Sequence, residues 1–178
     1  MSEKDKLVLI VDLDSTLLKN DFFAEALIKQ LISNPFQLVY QYLKHKNWVN
    51  FKQQILSKTK PTIVEIKHLI NTNVYLWITK NKDNFSSIHI VSASPNQFVN
   101  YIFEIIKSNF PDNPIVDAQG SIHFNLSGIK KLEYLLEKYG DFFWYIGDSK
   151  SDYLIFRKSK GALIVKNGHL IRIHGELY

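Results

Sequence analysis

Three short polar stretches each follow an apolar run of β-type residues, and they limit the folds open to this chain. Residues 12–16 (Asp-Leu-Asp-Ser-Thr) follow 7–11, residues 92–94 (Ser-Ala-Ser) follow 88–91, and residues 147–149 (Gly-Asp-Ser) follow 142–146. Carboxylates at strand ends are costly unless a cation or a ligand uses them. Because open α/β sheets bind ligands beyond the carboxyl ends of their strands, we expect these stretches to converge on one site.

The sequence between these stretches predicts alternating strands and helices. Strands are expected at 6–11, 88–91, 115–117, 122–124, 142–146, 162–165 and 170–173, with turns at Gly120 and at Asn167-Gly168. Helices are expected at 16–33, 36–44, 48–57, 74–80, 95–108, 128–139 and 151–157, with a capping box at 62–65. Roughly 55 residues of helical pattern follow the first strand, so an α/β sheet with a helical insert is predicted.

Composition narrows the chemistry and the partners. The chain has 178 residues and no cysteine, which excludes disulfides, thiolate metal sites and cysteine nucleophiles. The formal charge of +5 comes from dispersed basic residues, so no nucleic-acid partner is expected. No segment reaches the roughly 18 apolar residues of a membrane span, and residues 1–6 lead into a strand without the pattern of a signal peptide. A cytoplasmic protein without a membrane span is therefore predicted.

Asp12 and Asp14 are the first candidates for chemistry. They lie two residues apart just past a strand, so their side chains point the same way and need a counter-charge. Mg²⁺ fits, because it takes carboxylate oxygens together with water and substrate phosphate, and Asp148 at another strand end is a natural third ligand. The arrangement predicts phosphoryl transfer, in which one carboxylate is the nucleophile and another protonates the leaving oxygen.

Groups that can bind phosphate are present as well. Ser92 and the backbone N–H groups after it, just ahead of a helix, can hold phosphate oxygens. Ser94 is expected to cap that helix, which leaves Ser92 free for a ligand. Lys130 and Lys131, at the start of a later helix, are both candidates for the lysine that balances the carboxylates.

These residues resemble the four motifs of the haloacid dehalogenase superfamily of aspartate-based phosphatases. The motif Asp-x-Asp-x-Thr corresponds to 12–16, the Ser or Thr after a strand to Ser92, the Lys ahead of a helix to Lys131 or its neighbour Lys130, and Gly-Asp-x-x-x-Asp to 147–152. Four motifs in order, each in the right strand context, are a specific signal. Ser15 is similar to phosphoserine-phosphatase-like members, and the insert resembles the haloacid-dehalogenase-like domain associated with ubiquinone-type prenyltransferases.

The resemblance implies catalytic and metal-binding roles. Asp12 would be the nucleophile and a metal ligand. Asp14 would be the general acid and base, with its backbone carbonyl as a second ligand. Asp148 would be the third ligand, and Asp152 would support the metal shell or hold the lysine.

The resemblance also implies the phosphate-binding groups and the domains. Ser92, the N–H of Ala93, and Lys131 or Lys130 would bind the phosphate. A Rossmann-like core would comprise residues 1–18 and 76–178, and a small helical cap residues 19–75. The aromatic residues of the cap are more typical of a cap core than of a substrate pocket: Tyr40, Tyr42, Trp48 and Phe51.

The expected activity is Mg²⁺-dependent hydrolysis of a small phosphomonoester through an aspartyl-phosphate on Asp12. Two alternatives remain open. One is a non-hydrolytic partner or regulator of a membrane prenyltransferase-type enzyme, which binds an anionic ligand. The other is a phosphotransferase, which differs only in the acceptor that reaches the phosphorylated aspartate. The acid at position 14 favours hydrolysis over binding alone.

Overall fold

The computed structural model describes residues 7–45, 47–110 and 112–177. Its strands are β1 (Leu7–Val11), β2 (Phe85–Pro95), β3 (Ile115–Ser121), β4 (Phe143–Gly147), β5 (Gly161–Lys166) and β6 (His169–His174). Its α-helices are α1 (Phe22–Ser33), α2 (Pro35–Lys44), α3 (Trp48–Ser57), α4 (Ile63–Leu69), α5 (Thr72–Asn81), α6 (Asn96–Asn109), α7 (Ile129–Tyr139) and α8 (Tyr153–Lys158). The predictions about residues 1–6, including the absence of a signal peptide, lie outside the described residues, and the cytoplasmic location stays a prediction.

The six strands form one sheet in the order β3-β2-β1-β4-β5-β6. Neighbouring strands are parallel except β5 and β6, which form an antiparallel hairpin. The predicted α/β class is thus confirmed. β2 and β3 lie on one side of β1 and β4, β5 and β6 on the other, so the strand order reverses at β1. Ligands of open α/β sheets bind in the crevice beside such a strand.

Helices cover both faces of the sheet, which explains why its inner strands are almost entirely apolar. On one face α7 and α8 pack against Ile10, Phe143 and Tyr145. On the other face α5 and α6 join a larger cluster that includes Leu9 and Trp144. Among the described residues, no helix combines the length and the apolarity that a bilayer span needs.

The helix predicted over residues 16–33 begins only at Phe22. Leu18 is extended and forms an antiparallel bridge with Ile70. The carboxylate of Asp21 caps α1 by accepting a hydrogen bond of 3.0 Å from the N–H of Ala24. Apolar spacing alone misled here, because buried extended residues and buried helical residues look the same over so short a stretch.

The insert between β1 and β2 closes at its base. Backbone hydrogen bonds of 2.8 Å run from Lys19 to Leu69 and from Asn71 to Leu17. The capping box predicted at 62–65 is present at the start of α4. The predicted cap boundary at residue 75 falls within α5, a helix that packs on the sheet. The division into core and cap stays a prediction.

The strand predicted at 115–117 is present and continues through Gly120 to Ser121 as β3, whereas residues 122–124 form no strand. A Cβ at Gly120 would lie 2.6 Å from the carbonyl oxygen of Ser94. The glycine therefore permits a close approach of two backbones rather than a turn. The hairpin turn is confirmed: Asn167 and Gly168 both have positive φ, 50° and 77°, which is the conformation that a two-residue hairpin loop requires.

Candidate functional site

The carboxyl ends of β1, β2 and β4 meet at a polar cleft of about 190 Å³. Asp12 follows β1, Ser92 lies near the end of β2, and Asp148 follows β4. The three polar stretches of the sequence therefore converge because their strands are neighbours in the sheet. Asp152 and Lys131 complete the wall of the cleft from the segments that follow β4 and β3.

The carboxylate of Asp12 is held at both of its oxygens. Its Oδ1 accepts a hydrogen bond of 2.8 Å from the N–H of Leu13. Its Oδ2 lies 3.0 Å from Nζ of Lys131. Only 8% of the residue is exposed. A carboxylate oriented in this way and largely shielded from bulk water suits a nucleophile better than a solvated surface group.

The structure places Lys131 in the wall of the cleft and Lys130 outside it. Lys131 is 1% exposed and lies 3.9 Å from Asp152 as well as in contact with Asp12. Burial acts to lower its pKa, but the charges of these two carboxylates outweigh burial and raise the pKa above 10.5. Lys130 is exposed, with its Nζ over the ring of Phe124. Consecutive residues on a helix point in different directions, so only one of the two reaches the cleft.

Asp12, Asp148 and Asp152 form a cluster in which one carboxylate oxygen of each residue lies within 4.8 Å of those of the other two. Burial, and the neighbouring charge of Asp12, raise the pKa values of Asp148 and Asp152 to about 6. One lysine does not neutralise three carboxylates at neutral pH. An all-carboxylate set of oxygen donors with an excess of negative charge fits a hard divalent cation such as Mg²⁺.

Asp14 stands apart from this cluster. Its Oδ2 accepts a hydrogen bond of 2.6 Å from Oγ of Ser94, and its Oδ1 accepts one of 3.3 Å from the N–H of Phe22. Burial raises the pKa of Asp14 to about 7, although the bond from Ser94 acts to lower it. A carboxyl group with a pKa near neutrality is suited to giving and taking a proton. The predicted metal contact through the backbone carbonyl of Asp14 stays a prediction.

Ser94 does not cap α6, contrary to the sequence-based expectation. The cap position is Pro95, which has no side-chain cap bond, and the hydroxyl of Ser94 is directed at Asp14 instead. Ser92 is buried, and its Oγ accepts a hydrogen bond of 3.1 Å from the N–H of Ser94. Ser92 and Ala93 both line the cleft, as the prediction that they bind phosphate requires.

Sequence analysis missed Lys52, which reaches the cleft from α3 of the insert. Its Nζ donates hydrogen bonds of 3.2 Å to the carbonyl oxygen of Ala93 and to Oδ1 of Asn125. Burial lowers its pKa, while the charge of Asp14 opposes that shift. Asp21, at the start of α1, lines the same cleft. No sequence motif marks Lys52, since only the packing of the insert on the sheet brings it to Ala93.

Sequence comparison relates this chain to a longer protein. No protein-family model matches the chain. A sequence relative, the uncharacterized protein y4nM of Sinorhizobium fredii, is 29% identical over 167 residues, which are 92% of this chain and 30% of that protein. The chain thus spans less than a third of the length of that relative.

Solved structures match over most of both chains. A predicted phosphoglycolate phosphatase from Haemophilus somnus superposes with a TM-score of 0.53 at 16% identity, covering 90% of this chain and 84% of that one. A phosphoserine phosphatase with a phospho-aspartyl intermediate analogue gives 0.52 at 16% identity, covering 89% and 85%. A phosphoserine phosphohydrolase-like protein from Francisella tularensis gives 0.50 at 19% identity, covering 92% and 88%. The resemblance read from the sequence motifs is confirmed at the level of the fold: this chain has the fold of the haloacid dehalogenase-type hydrolases.

Proposed function

We propose that this chain is a Mg²⁺-dependent phosphatase that hydrolyses a small phosphomonoester through an aspartyl-phosphate on Asp12. The observation that carries the proposal is the arrangement around Asp12. Its carboxylate lies 3.0 Å from Nζ of Lys131, stands in a cluster with Asp148 and Asp152, and lines the same cleft as Asp14, whose pKa is raised to about 7. Likeness to phosphatases of the same fold supports it.

Asp12, Asp148 and Asp152 would hold the cation, which supplies positive charge to the phosphate and lowers the repulsion between the phosphate and the nucleophile. In the first step an oxygen of Asp12 attacks phosphorus, and the bond from phosphorus to the ester oxygen breaks. Asp14 gives its proton to that departing oxygen, so the product leaves as an alcohol. Lys131, 3.0 Å from the Asp12 carboxylate, would hold it oriented for attack.

In the second step Asp14 acts as the general base and the Asp12 carboxylate is the leaving group. The Asp14 carboxylate removes a proton from water, and the water oxygen attacks phosphorus. The bond from phosphorus to Asp12 breaks, which releases inorganic phosphate and restores both carboxyl groups to their starting states. Ser94, by its hydrogen bond of 2.6 Å, would hold the Asp14 side chain in place through both steps. Ser92 and the N–H of Ala93 would bind the phosphate oxygens.

The helical insert, residues 19–75, would act as a cap over the core, residues 1–18 and 76–178. Lys52 and Asp21 come from the insert and line the cleft beside Asp12 and Asp14, which supports a cap that closes over the phosphate site. The paired segments around Leu17 and Asn71 offer a short base on which such a cap can open. Lys52 would add a second positive charge for an anionic substrate when the cap is closed.

The test is phosphate release from an aryl phosphate and from a panel of phosphometabolites, with and without Mg²⁺. Turnover should require the cation and should disappear in Asp12→Asn. Asp141→Asn, which alters an exposed aspartate paired with Lys160, is the matched control and should remain active. A fully active Asp12→Asn protein would overturn the proposal. Stabilisation by phosphorylated ligands without any turnover would instead support the binding protein considered above.

A further inference from the structure

The outer side of the insert carries large apolar side chains that the fold leaves uncovered. On α2 they recur at spacings of three and four residues, so they lie along one side of the helix: Phe36, Val39, Tyr40 and Leu43. Phe36 is 90% exposed and Leu43 is 72% exposed. The opposite side of α2 is the one that packs on the protein, through the buried residues Leu38 and Gln41.

The same feature continues on α1. Ile28, Leu31 and Ile32 are all more than half exposed. The chain turns at Asn34 between the two helices, so Ile32 and Phe36 flank one corner. We refer to the seven side chains Ile28, Leu31, Ile32, Phe36, Val39, Tyr40 and Leu43 as the outer insert face. Single exposed apolar residues are ordinary, but so many on two consecutive helices are typical of a binding surface.

The segment that contains α1, α2 and α3 is also strongly basic. Residues 22–60 hold six lysines and a single acidic residue, Glu25, which makes a formal charge of +5. This equals the formal charge of the whole protein, so basic and acidic side chains are balanced in the rest of the chain. Lys29 and Lys44 are exposed on the same helices as the outer insert face, and Lys58 and Lys60 are exposed after α3.

We propose that the outer insert face docks this protein on an anionic lipid bilayer, with α1 and α2 lying along the membrane surface. Apolar side chains on one side of a helix enter the boundary between headgroups and acyl chains, while lysines contact anionic headgroups. Charge disfavours a second copy as the occupant, because a symmetric dimer would bring the exposed lysines beside this face, Lys29 and Lys44, near those of the partner copy. The exposed aliphatic residues decide against nucleic acid, whose backbone offers them no apolar surface.

The experiment is flotation of the 178-residue chain with vesicles of phosphatidylcholine alone and of phosphatidylcholine mixed with phosphatidylserine. Binding should be strong only with phosphatidylserine and should weaken as salt is added, because salt screens the lysines. The double variant Phe36→Ser/Leu43→Ser should bind the mixed vesicles at least about tenfold less, since it loses its two most exposed anchors on α2. Lys29→Glu/Lys44→Glu should weaken binding to the mixed vesicles as well.

The matched control is Phe142→Ser, which removes an aromatic residue that is 59% exposed and lies outside the insert, immediately before β4. It should bind vesicles like the parent. All variants should keep the parent thermal melt, because the substituted side chains are exposed, and this shows that lost binding is not lost folding. The proposal is overturned if the parent ignores phosphatidylserine vesicles, if Phe142→Ser weakens binding as much as the α2 variant, or if the outer insert face instead supports a dimer in solution that Phe36→Ser dissociates. These outcomes do not depend on phosphatase activity, so they are separate from a failure of the proposed function.

Discussion

Lys131→Met should destabilise the protein severely, although methionine matches the lysine stem in length and apolar character. Lys131 is 1% exposed and is 3.0 Å from Asp12 and 3.9 Å from Asp152. Removing one partner of a buried ion pair leaves the other charge uncompensated and costs about 3–5 kcal/mol. In a chain of this size each kcal/mol lowers Tm by about 2–4 °C, so Tm should fall by about 6–20 °C.

The measurement is urea and thermal unfolding in the presence of a chelator, at about pH 8 and about pH 5. The pKa values of Asp148 and Asp152 are raised to about 6 by burial, above the ordinary value of 3.8. At these two carboxyl groups the folded state therefore binds protons more readily than the unfolded state. Their contribution to the free energy of unfolding rises as pH falls through the range between about 7 and about 5. The deficit of Lys131→Met should shrink over that range, because protonated carboxyl groups no longer need the lysine. Added Mg²⁺ should shrink the deficit at the higher pH for the same electrostatic reason.

Lys130→Met is the matched control, since it removes an exposed lysine one position earlier on the same helix. Its effect should stay within about 0.5 kcal/mol at either pH. The electrostatic argument would be refuted if the two variants were equally stable. It would also be refuted if Lys131→Met lost the same free energy at both pH values, because the loss would then come from packing alone.

Three further predictions concern positions that act through different forces. Ser94→Ala removes the hydrogen bond that lowers the pKa of Asp14, so the pH profile of kcat should move to higher pH while the fold persists. A pH profile that does not move would contradict this effect of Ser94. Gly120→Ala forces a Cβ to 2.6 Å from a backbone oxygen and should cost more than about 2 kcal/mol in urea unfolding, and an unchanged free energy of unfolding would contradict the close approach of the two backbones. Burial lowers the pKa of His89 below 6.5, so the contribution of this one group to the free energy of unfolding decreases as pH falls through that region. Relative to the parent, His89→Gln should therefore gain stability between about pH 7 and about pH 5, and an unchanged difference between the two proteins would exclude this contribution.

Local patterns were sufficient to predict most elements of this fold. The apolar runs before Asp12 and Asp148 predicted β1 and β4 within one or two residues, and the Thr62–Glu65 capping box is present. Such signals depend on neighbours in the chain, which a sequence displays directly. The errors lie where distant segments decide the conformation. Leu18 is extended because it pairs with Ile70 across the insert, and no pattern around Leu18 contains that information.

The candidate site divides in the same way. The sequence by itself determined which groups of the first and fourth motifs meet, because the carboxyl ends of parallel strands share one edge of a sheet, and Asp12 and Asp148 stand at such ends. Only the tertiary structure decided between Lys130 and Lys131, since the choice depends on which side of α7 faces the cleft. The same holds for Lys52, which comes from a separate layer of the molecule.

The hydroxyl of Ser94 shows the physical reason. Local rules predict a helix cap, yet this hydroxyl donates a hydrogen bond of 2.6 Å to Asp14, a half-buried carboxyl group 80 positions earlier. Leaving a partly desolvated carboxylate without a donor is costly, whereas α6 forms here without a side-chain cap bond. Chemistry that follows from residue type and strand order could be predicted from this sequence, whereas contacts that depend on how layers pack required the folded chain.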